Sequence, residues 1–144
     1  MREQIPPLPT LHQKGTTDMK PGTIGWIDLT VGDAESIRDF YASVVGWQSD
    51  VVEMSGYQDY CMLPKDGEPA AGICHARGAN SAMPPGWMIY ITVESLDESM
   101  RQCEHLGGKV LGEPRSMGED RYCVIQDPSG ATCSLFQSGG NADA

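Results

Sequence analysis

Residues 23–47 read TIGWIDLTVGDAESIRDFYASVVGW, a stretch that begins like a β-strand and ends like a helix. Aliphatic residues at positions 27, 29 and 31 alternate with aromatic or polar residues at 26, 28 and 30. A period of two is typical of a strand with one apolar face and one face that carries polar groups. Trp26, Asp28 and Thr30 are therefore predicted to share the second face.

The apolar face of this strand needs a cover, and the residues that follow predict a helix. Asp33 is a good N-cap residue, and Gly46 is a typical helix stop. Between them, apolar residues recur at helical spacing at Ile37, Phe40, Tyr41, Val44 and Val45. The stretch is predicted to fold as a strand followed by an amphipathic helix.

The second half of the chain repeats this pattern. Residues 88–93 alternate like a strand, Ser95 and Glu98 form a capping box, and Gly107 and Gly108 end the predicted helix. Its apolar stripe consists of Leu96, Met100, Cys103 and Leu106. Three further strands are predicted in each half, over 48–54, 57–63 and 69–76, and over 109–111, 121–126 and 131–136.

The two halves match at a nearly constant offset. Thr30 maps onto Thr92 and Asp59 onto Arg121, both 62 positions apart, and Gly67 falls on Gly130 at 63. An internal repeat constrains architecture more strongly than local propensity does. We therefore predict an α+β fold of two tandem βαβββ modules in a single domain over 22–137. The predicted parts are tail 1–21, module one 22–76, linker 77–86, module two 87–137 and tail 138–144.

Composition and charge exclude several kinds of partner. The 144 residues include 10 Lys and Arg against 20 Asp and Glu, a net charge of −10, which repels phosphate backbones and anionic lipid. The longest apolar run lies within residues 87–93, far short of the roughly 20 residues that a membrane helix needs. Prolines interrupt the N-terminal MREQIPPLPTLHQK where a secretory signal would be apolar. We expect no nucleic acid partner, no membrane segment and a cytoplasmic location.

Cysteine and histidine give no metal or redox motif. The five cysteines are an odd number without a C-x-x-C pair, which predicts reduced thiols; they are Cys61, Cys74, Cys103, Cys123 and Cys133. The histidines, His12, His75 and His105, are predicted to be ordinary surface or structural residues. Only His75 and Asp28 are a pair that could reach one cavity.

Three stretches carry a resemblance to a known family. These are LTVGDAESIRDFYASVVGW, its partial echo ITVESLDESMRQCEHLGGKV, and the closing DPSGATCSLFQ with its D-P-x-G turn. Over roughly residues 22–137 the chain resembles the vicinal oxygen chelate superfamily, which includes glyoxalase I, bleomycin-resistance proteins and extradiol dioxygenases. The resemblance implies a curved, cup-shaped mixed sheet with the helices on its outer face, and a homodimer.

The resemblance also identifies the positions where the family holds a metal ion. They fall at Trp26, near Ala71 or Gly72, at Met88 and at Ser134. None of these side chains suits a hard divalent ion, because indole has no available lone pair, thioether sulfur is soft and a serine hydroxyl is a weak ligand. We therefore expect no metal and no cofactor.

The same resemblance places the Trp26 face of the sheet along the cup-shaped cavity. The candidate ligand-binding residues are Trp26, Thr30, Tyr60, Met88, Tyr122, Ser134 and Phe136. Such a lining suits a flat or apolar organic ligand. Aromatic residues on strands are more often plain core, and the repeat does not set the facing of Tyr60 and Tyr122.

Asp28 and Tyr90 are the candidate catalytic residues. A buried carboxylate is costly unless it is paired or hydrated. Asp28 is therefore either a ligand anchor or general base, or it pairs with an arginine such as Arg121. Tyr90, its partner in the repeat, has a phenol that can donate a hydrogen bond.

Three functions fit these observations. The leading hypothesis is a metal-independent protein that holds a small organic molecule in the sheet cavity, for sequestration or for proton transfer through Asp28 and Tyr90. The alternative is a metal-dependent lyase or isomerase like glyoxalase I, or a dioxygenase, with ligands recruited from Asp28, His75 or elsewhere. The third is an interaction module without a pocket.

Overall fold

A computed structural model of the chain describes residues 20–78, 81, 83 and 86–139. Residues 1–19 of the predicted N-terminal tail, including His12, lie outside the described residues. So do several residues of the predicted linker and residues 140–144. In the described part, no helix has the length and apolar character needed to span a membrane.

The elements follow the predicted βαβββ order twice. They are β1 (Ile24–Val31), α1 (Ala34–Val45), β2 (Gln48–Glu53), β3 (Gln58–Leu63), β4 (Ala71–His75), β5 (Trp87–Thr92), α2 (Leu96–His105), β6 (Lys109–Met117), β7 (Asp120–Gln126) and β8 (Thr132–Gln137). The fold is mixed α+β, and this prediction is confirmed.

One predicted strand was too short. β6 has nine residues instead of the three predicted over 109–111. It pairs with β7 on both sides of an irregularity between Leu111 and Arg115, where Gly112 has a φ of 83°. A bulge allows an antiparallel strand to continue past residues that would otherwise end it.

The described chain forms two compact units. Unit one is Trp26–Trp87, and unit two comprises the described residues from Met88 onward together with those before Trp26. In unit one β1 and β4 are parallel, while β3 is antiparallel to both β2 and β4. Unit two repeats this arrangement, with β5 parallel to β8 and β7 antiparallel to both β6 and β8.

Side-chain caps start both helices where the sequence predicts them. Asp33 accepts a hydrogen bond from the Ser36 N–H at 3.2 Å, and the Ser95 hydroxyl accepts one from the Glu98 N–H at 3.1 Å. Gly46 ends α1 in the left-handed conformation with φ 80°, where glycine carries no Cβ penalty. The capping chemistry is therefore local, and the sequence identified it.

Each helix packs against one face of its own unit's sheet. The cluster under α1 is Ala34, Tyr60, Met62 and Ile73, with Val31, Ile37, Tyr41 and Trp47 around it. The cluster under α2 is Leu96, Cys123 and Leu135, with Ile91, Val93, Met100, Val110 and Ile125 around it.

The predicted helical stripes were too wide. Phe40, Val44, Val45 and Leu106 are all exposed, although each was assigned to an apolar stripe. Ala34, Ile37 and Tyr41 recur at three- and four-residue spacing and bury one narrow line of α1. Phe40 and Val44 lie beside that line and face away from the cluster.

Candidate functional site

β1 presents different side chains to its two faces. Val31 packs into the cluster under α1. Because side chains alternate along a strand, Trp26, Asp28 and Thr30 point to the opposite face, here called the helix-free face of unit one. Their exposed fractions are 3%, 1% and 5%. The strand therefore has buried side chains on both faces.

Neighbouring strands add cysteines to the helix-free face of unit one. Gly72 is the register partner of both Asp28 and Cys61, and Thr30 is opposite Cys74. Cys61 and Cys74 are buried and are not in disulfides. Burial raises the pKa of Cys74 well above its ordinary value, and the nearby carboxylates of Asp28 and Asp59 raise it further. Cys74 is therefore a neutral, weakly nucleophilic thiol.

Trp26 contributes an unsatisfied donor to this face. Its indole Nε1 is buried, and no described residue accepts a hydrogen bond from it. Leaving a buried donor unpaired costs about 1–3 kcal/mol. An acceptor atom on a ligand would recover that free energy.

Tyr60 does not share this face, which corrects its assignment to the cavity lining. It is opposite Ile73 in the sheet and belongs to the cluster under α1. The guanidinium of Arg38, also on α1, lies 4.6 Å from its ring centroid. The facing of Tyr60 follows from strand register, which the repeat did not determine for this residue.

In unit two, the other predicted lining residues share a face with Tyr90. Tyr90 is opposite Ser134, and Phe136 is opposite both Thr92 and Tyr122. The Tyr90 and Tyr122 ring centroids are 6.3 Å apart. Their sequence neighbours Ile91, Cys123 and Leu135 pack under α2, so this set points away from the helix. We call this the helix-free face of unit two.

Two members of that set are held in defined ways. Ser134 is buried, and its hydroxyl donates to the carbonyl oxygen of Cys123 at 3.1 Å. Met88 precedes Tyr90 by two residues and is also buried, so it points to the same face. Ligand contact by these residues remains a prediction.

His75 has a carboxylate partner, but the partner is not the predicted Asp28. His75 Nδ1 lies 3.3 Å from Asp59 Oδ1, whereas the sequence suggested Asp28. The arginine suggested for Asp28, Arg121, forms an ion pair with Asp97 at 3.1 Å. Asp59 was missed, although a single carboxylate next to the run YCML was a signal for a buried, partnered charge.

The residues at the family's metal positions do not fit a divalent ion. Trp26, Met88 and Ser134 offer an indole, a thioether and a hydroxyl that already donates to Cys123. Within the described residues, no three His, Cys, Asp or Glu side chains are grouped so that they could hold an ion. The donor set therefore disagrees with the metal that the fold family implies.

Comparison with known proteins identifies the family. The profile of the Glyoxalase/Bleomycin resistance protein/Dioxygenase superfamily matches residues 23–135. CFP32 of Mycobacterium tuberculosis, whose name includes the word glyoxylase, is 33% identical over 125 residues, which is 85% of this chain and 48% of that protein. Anthracycline biosynthesis protein DnrV of Streptomyces peucetius is 30% identical over 117 residues, 81% of this chain and 42% of that protein. The chain thus spans less than half the length of these curated relatives.

Solved structures agree on the fold. A methylmalonyl-CoA epimerase in complex with methylmalonyl-CoA and NH4+ matches with a TM-score of 0.54 at 18% identity, over 83% of this chain and 96% of that one. A superfamily member from Vibrio splendidus 12B01 gives 0.55 at 14% identity, over 78% and 97%. At these identities the likeness shows the fold alone. Because the family profile matches most of the sequence and both βαβββ modules are present, this chain belongs to the glyoxalase/bleomycin resistance protein/dioxygenase superfamily.

Proposed function

We propose that this protein binds small organic molecules on the helix-free faces of unit one and unit two, each considered by itself, and that it does so without a metal ion. The observation that supports this proposal most strongly is the buried indole N–H of Trp26. No described residue accepts a hydrogen bond from it. In the family this position belongs to a metal ligand, and a donor cannot replace one. A donor can instead bind an acceptor atom of an organic ligand.

The composition of each helix-free face, taken separately, supports a flat or apolar ligand. Unit one supplies the Trp26 indole beside the Asp28 carboxyl and the Thr30 hydroxyl, all buried. Unit two supplies Tyr90 and Tyr122, with centroids 6.3 Å apart. Aromatic walls with few polar groups are typical of small-molecule sites. As part of this proposal we assign to ligand contact Thr30 on the face of unit one and, separately, Met88, Tyr122, Ser134 and Phe136 on the face of unit two.

Two ligand classes deserve the first trials, because relatives carry them in their names. One relative is an anthracycline biosynthesis protein, and one structural neighbour was solved with methylmalonyl-CoA. An anthracycline offers carbonyl acceptors on a flat ring system that suits an aromatic wall. We therefore favour a polycyclic aromatic ligand with carbonyl groups over an acyl-CoA.

Calorimetric titration of single tryptophan variants tests the role of Trp26. Trp26→Phe keeps an aromatic ring and removes the donor, so the affinity for an anthracycline is expected to fall about tenfold, the equivalent of about 1.4 kcal/mol. Trp47 lies in the cluster under α1, so Trp47→Phe is the matched control and should leave the affinity unchanged. Equal losses in both variants would remove Trp26 from the site.

Elemental analysis of protein purified without chelator tests the metal-free part of the proposal. We expect less than stoichiometric amounts of any transition metal. Nickel, zinc, iron or manganese at one equivalent per chain would favour the metal-dependent lyase, isomerase or dioxygenase instead. The same preparation should still bind the anthracycline after dialysis against EDTA.

Proton-transfer chemistry is a separate part of the proposal. Asp28 is a candidate general base and Tyr90 a candidate hydrogen-bond donor, and both are buried. If the protein only sequesters its ligand, mass spectrometry of the recovered ligand should show no deuterium uptake from D2O. Uptake that Asp28→Asn abolishes would instead make Asp28 a catalytic base.

We also propose a homodimer, since many members of this superfamily pair. Val44 and Val45, at the C-terminal end of α1 in unit one, are exposed apolar residues, and such residues favour association. Sedimentation equilibrium is expected to give twice the monomer mass. The monomer mass across a hundredfold range of concentration would exclude the dimer.

A further inference from the structure

Unit one contains a cavity of about 460 Å³ on the side of the sheet that α1 covers. Its wall includes Glu35 in the first turn of α1, Glu53 and Tyr57 at the β2–β3 turn, Tyr60 on β3, and His75 at the end of β4. Tyr60 packs under α1, and Trp26 points to the opposite face. The cavity is therefore distinct from the helix-free face proposed above.

His75 enters this cavity in one orientation. Its Nδ1 lies 2.9 Å from the carbonyl oxygen of Gln58 and 3.3 Å from Asp59 Oδ1. A carbonyl oxygen only accepts hydrogen bonds, so Nδ1 carries the proton and donates. In the neutral ring the lone pair is then on Nε2. No hydrogen bond from a described residue engages Nε2, so it is the ring nitrogen left for a ligand.

Asp59 holds His75 from the buried side. The carboxylate is fully buried, and its Oδ1 also accepts the backbone N–H of His75 at 2.8 Å. A carboxylate that accepts from the Nδ1 side of a histidine fixes the orientation of the ring. The second carboxylate oxygen, Oδ2, has no partner among the described residues. Asp59 therefore positions the His75 ring, whose Nε2 can accept a hydrogen bond from a ligand.

The cavity favours a cation. Apart from His75, the charged side chains that line it are Glu35 and Glu53. The ring faces of Tyr57 and Tyr60 are already occupied by guanidinium groups, from Arg77 at 4.3 Å and from Arg38 at 4.6 Å. Arg38 also lies 3.8 Å from Glu35. Glu53 accepts a hydrogen bond from the neutral Gln58 amide at 2.9 Å and has no cationic partner among the described residues. A carboxylate without a cationic partner attracts positive charge. Since Nε2 of His75 also accepts, the complementary ligand is one that is cationic and carries N–H donors.

We propose that this cavity is a second ligand site, which binds a small protonated amine whose N–H donates to Nε2 of His75 while Glu53 balances its charge. The site does not depend on the function proposed for the helix-free face. Either proposal can fail while the other stands.

The test is a titration followed by NMR, with three probes of the same size. Benzylamine is protonated near neutral pH, whereas benzyl alcohol is neutral and benzoate is anionic. Benzylamine is expected to shift the Nε2 resonance of His75 and the backbone amide of Gln58 along one saturable curve. Benzyl alcohol and benzoate are expected to leave both resonances in place. Saturable binding of benzoate, or no shift with benzylamine, would overturn the proposal.

Two variants locate the amine. His75→Asn places an amide nitrogen near the position of Nδ1 and removes Nε2, so the affinity for benzylamine should fall about tenfold or more. Glu53 is exposed, so Glu53→Gln should fold normally and lower the affinity about threefold to tenfold. Glu68→Gln removes an exposed carboxylate that does not line the cavity, and it should have no effect.

These variants keep the proposal testable even if one of them is unstable. Thermal unfolding of each variant is measured first. If His75→Asn does not fold, the benzylamine affinities of Glu53→Gln and Glu68→Gln can still be compared. That comparison shows whether binding requires the Glu53 charge. Unchanged benzylamine affinity in Glu53→Gln, or equal losses in Glu53→Gln and Glu68→Gln, would contradict the site.

Discussion

Replacement of Phe136 by alanine is expected to lower the free energy of unfolding by about 3–5 kcal/mol. Phe136 is fully buried in β8, and its backbone neighbours in the sheet are Thr92 and Tyr122. Alanine would leave a cavity that the surrounding strands cannot close, because β8 is hydrogen-bonded to both β5 and β7. Urea denaturation followed by circular dichroism measures the loss.

Phe40 provides a matched control for this experiment, since the chain has only two phenylalanines. Phe40 lies on the outer side of α1 and is 53% exposed. Phe40→Ala removes the same atoms from a surface where alanine is also a better helix former. Its effect should stay within about 0.5 kcal/mol. Similar losses in the two variants would contradict the burial that the structure assigns to Phe136.

The Phe136 variant also bears on the proposed function. A milder replacement, Phe136→Leu, retains most of the buried volume and should preserve the fold. If Phe136 contacts the ligand, the affinity of the leucine variant for an aromatic ligand should fall while its stability changes little. If Phe136 is only core, stability should change and affinity should not.

Replacement of Asp59 by alanine is expected to have the second largest effect, a loss of about 1–3 kcal/mol in the free energy of unfolding. Asp59 Oδ1 accepts from the backbone N–H of His75 at 2.8 Å and lies 3.3 Å from its Nδ1. Alanine would leave the backbone donor without its acceptor at the end of β4. The amine site should weaken as well, because His75 loses the group that orients it.

Asp59→Asn tests the charge separately from the hydrogen bond. Burial raises the pKa of Asp59 above its ordinary value of 3.8, and the hydrogen bonds from His75 only partly oppose that shift. The folded chain therefore binds this proton more tightly than the unfolded chain does. Stability is lost as the pH rises from 3.8 through the folded-state pKa, and it levels off above it.

Comparison of the two proteins over a pH series checks the sign of this effect. Asparagine cannot ionise, so the stability of Asp59→Asn relative to the wild type should rise with pH across that window and then stay constant. Asp50 is exposed, and Asp50→Asn should follow the wild-type profile within about 0.5 kcal/mol. A relative stability of Asp59→Asn that falls with pH would show that the carboxylate is better stabilised in the folded protein than in water.

Several features of the fold could be predicted because they depend on residues close together in the chain. Asp33 and Ser95 cap their helices through side chains that reach only three residues ahead. Gly46 ends α1 because its own backbone takes the left-handed conformation. The alternation along residues 26–31 was enough to assign Trp26 and Asp28 to one face of β1 and Val31 to the other.

Other features depended on partners far apart in sequence and could not be predicted. Tyr60 faces α1 because of its register with Ile73, and His75 meets Asp59 because β3 and β4 are neighbours. The exposure of Phe40 depends on how α1 lies on its sheet. Local pattern leaves each of these choices open, since either face of a strand or side of a helix satisfies the same spacing.

The sequence alone determined the duplicated βαβββ architecture, the helix starts and the family, because a repeat at a constant offset can be read from the sequence and because periodicity and caps depend on nearby residues. The resemblance to the family also predicted that its metal positions hold Trp26, Met88 and Ser134. Tertiary structure alone decided which buried groups meet, above all His75 with Asp59, because strand pairing brings together residues whose spacing carries no signal of contact.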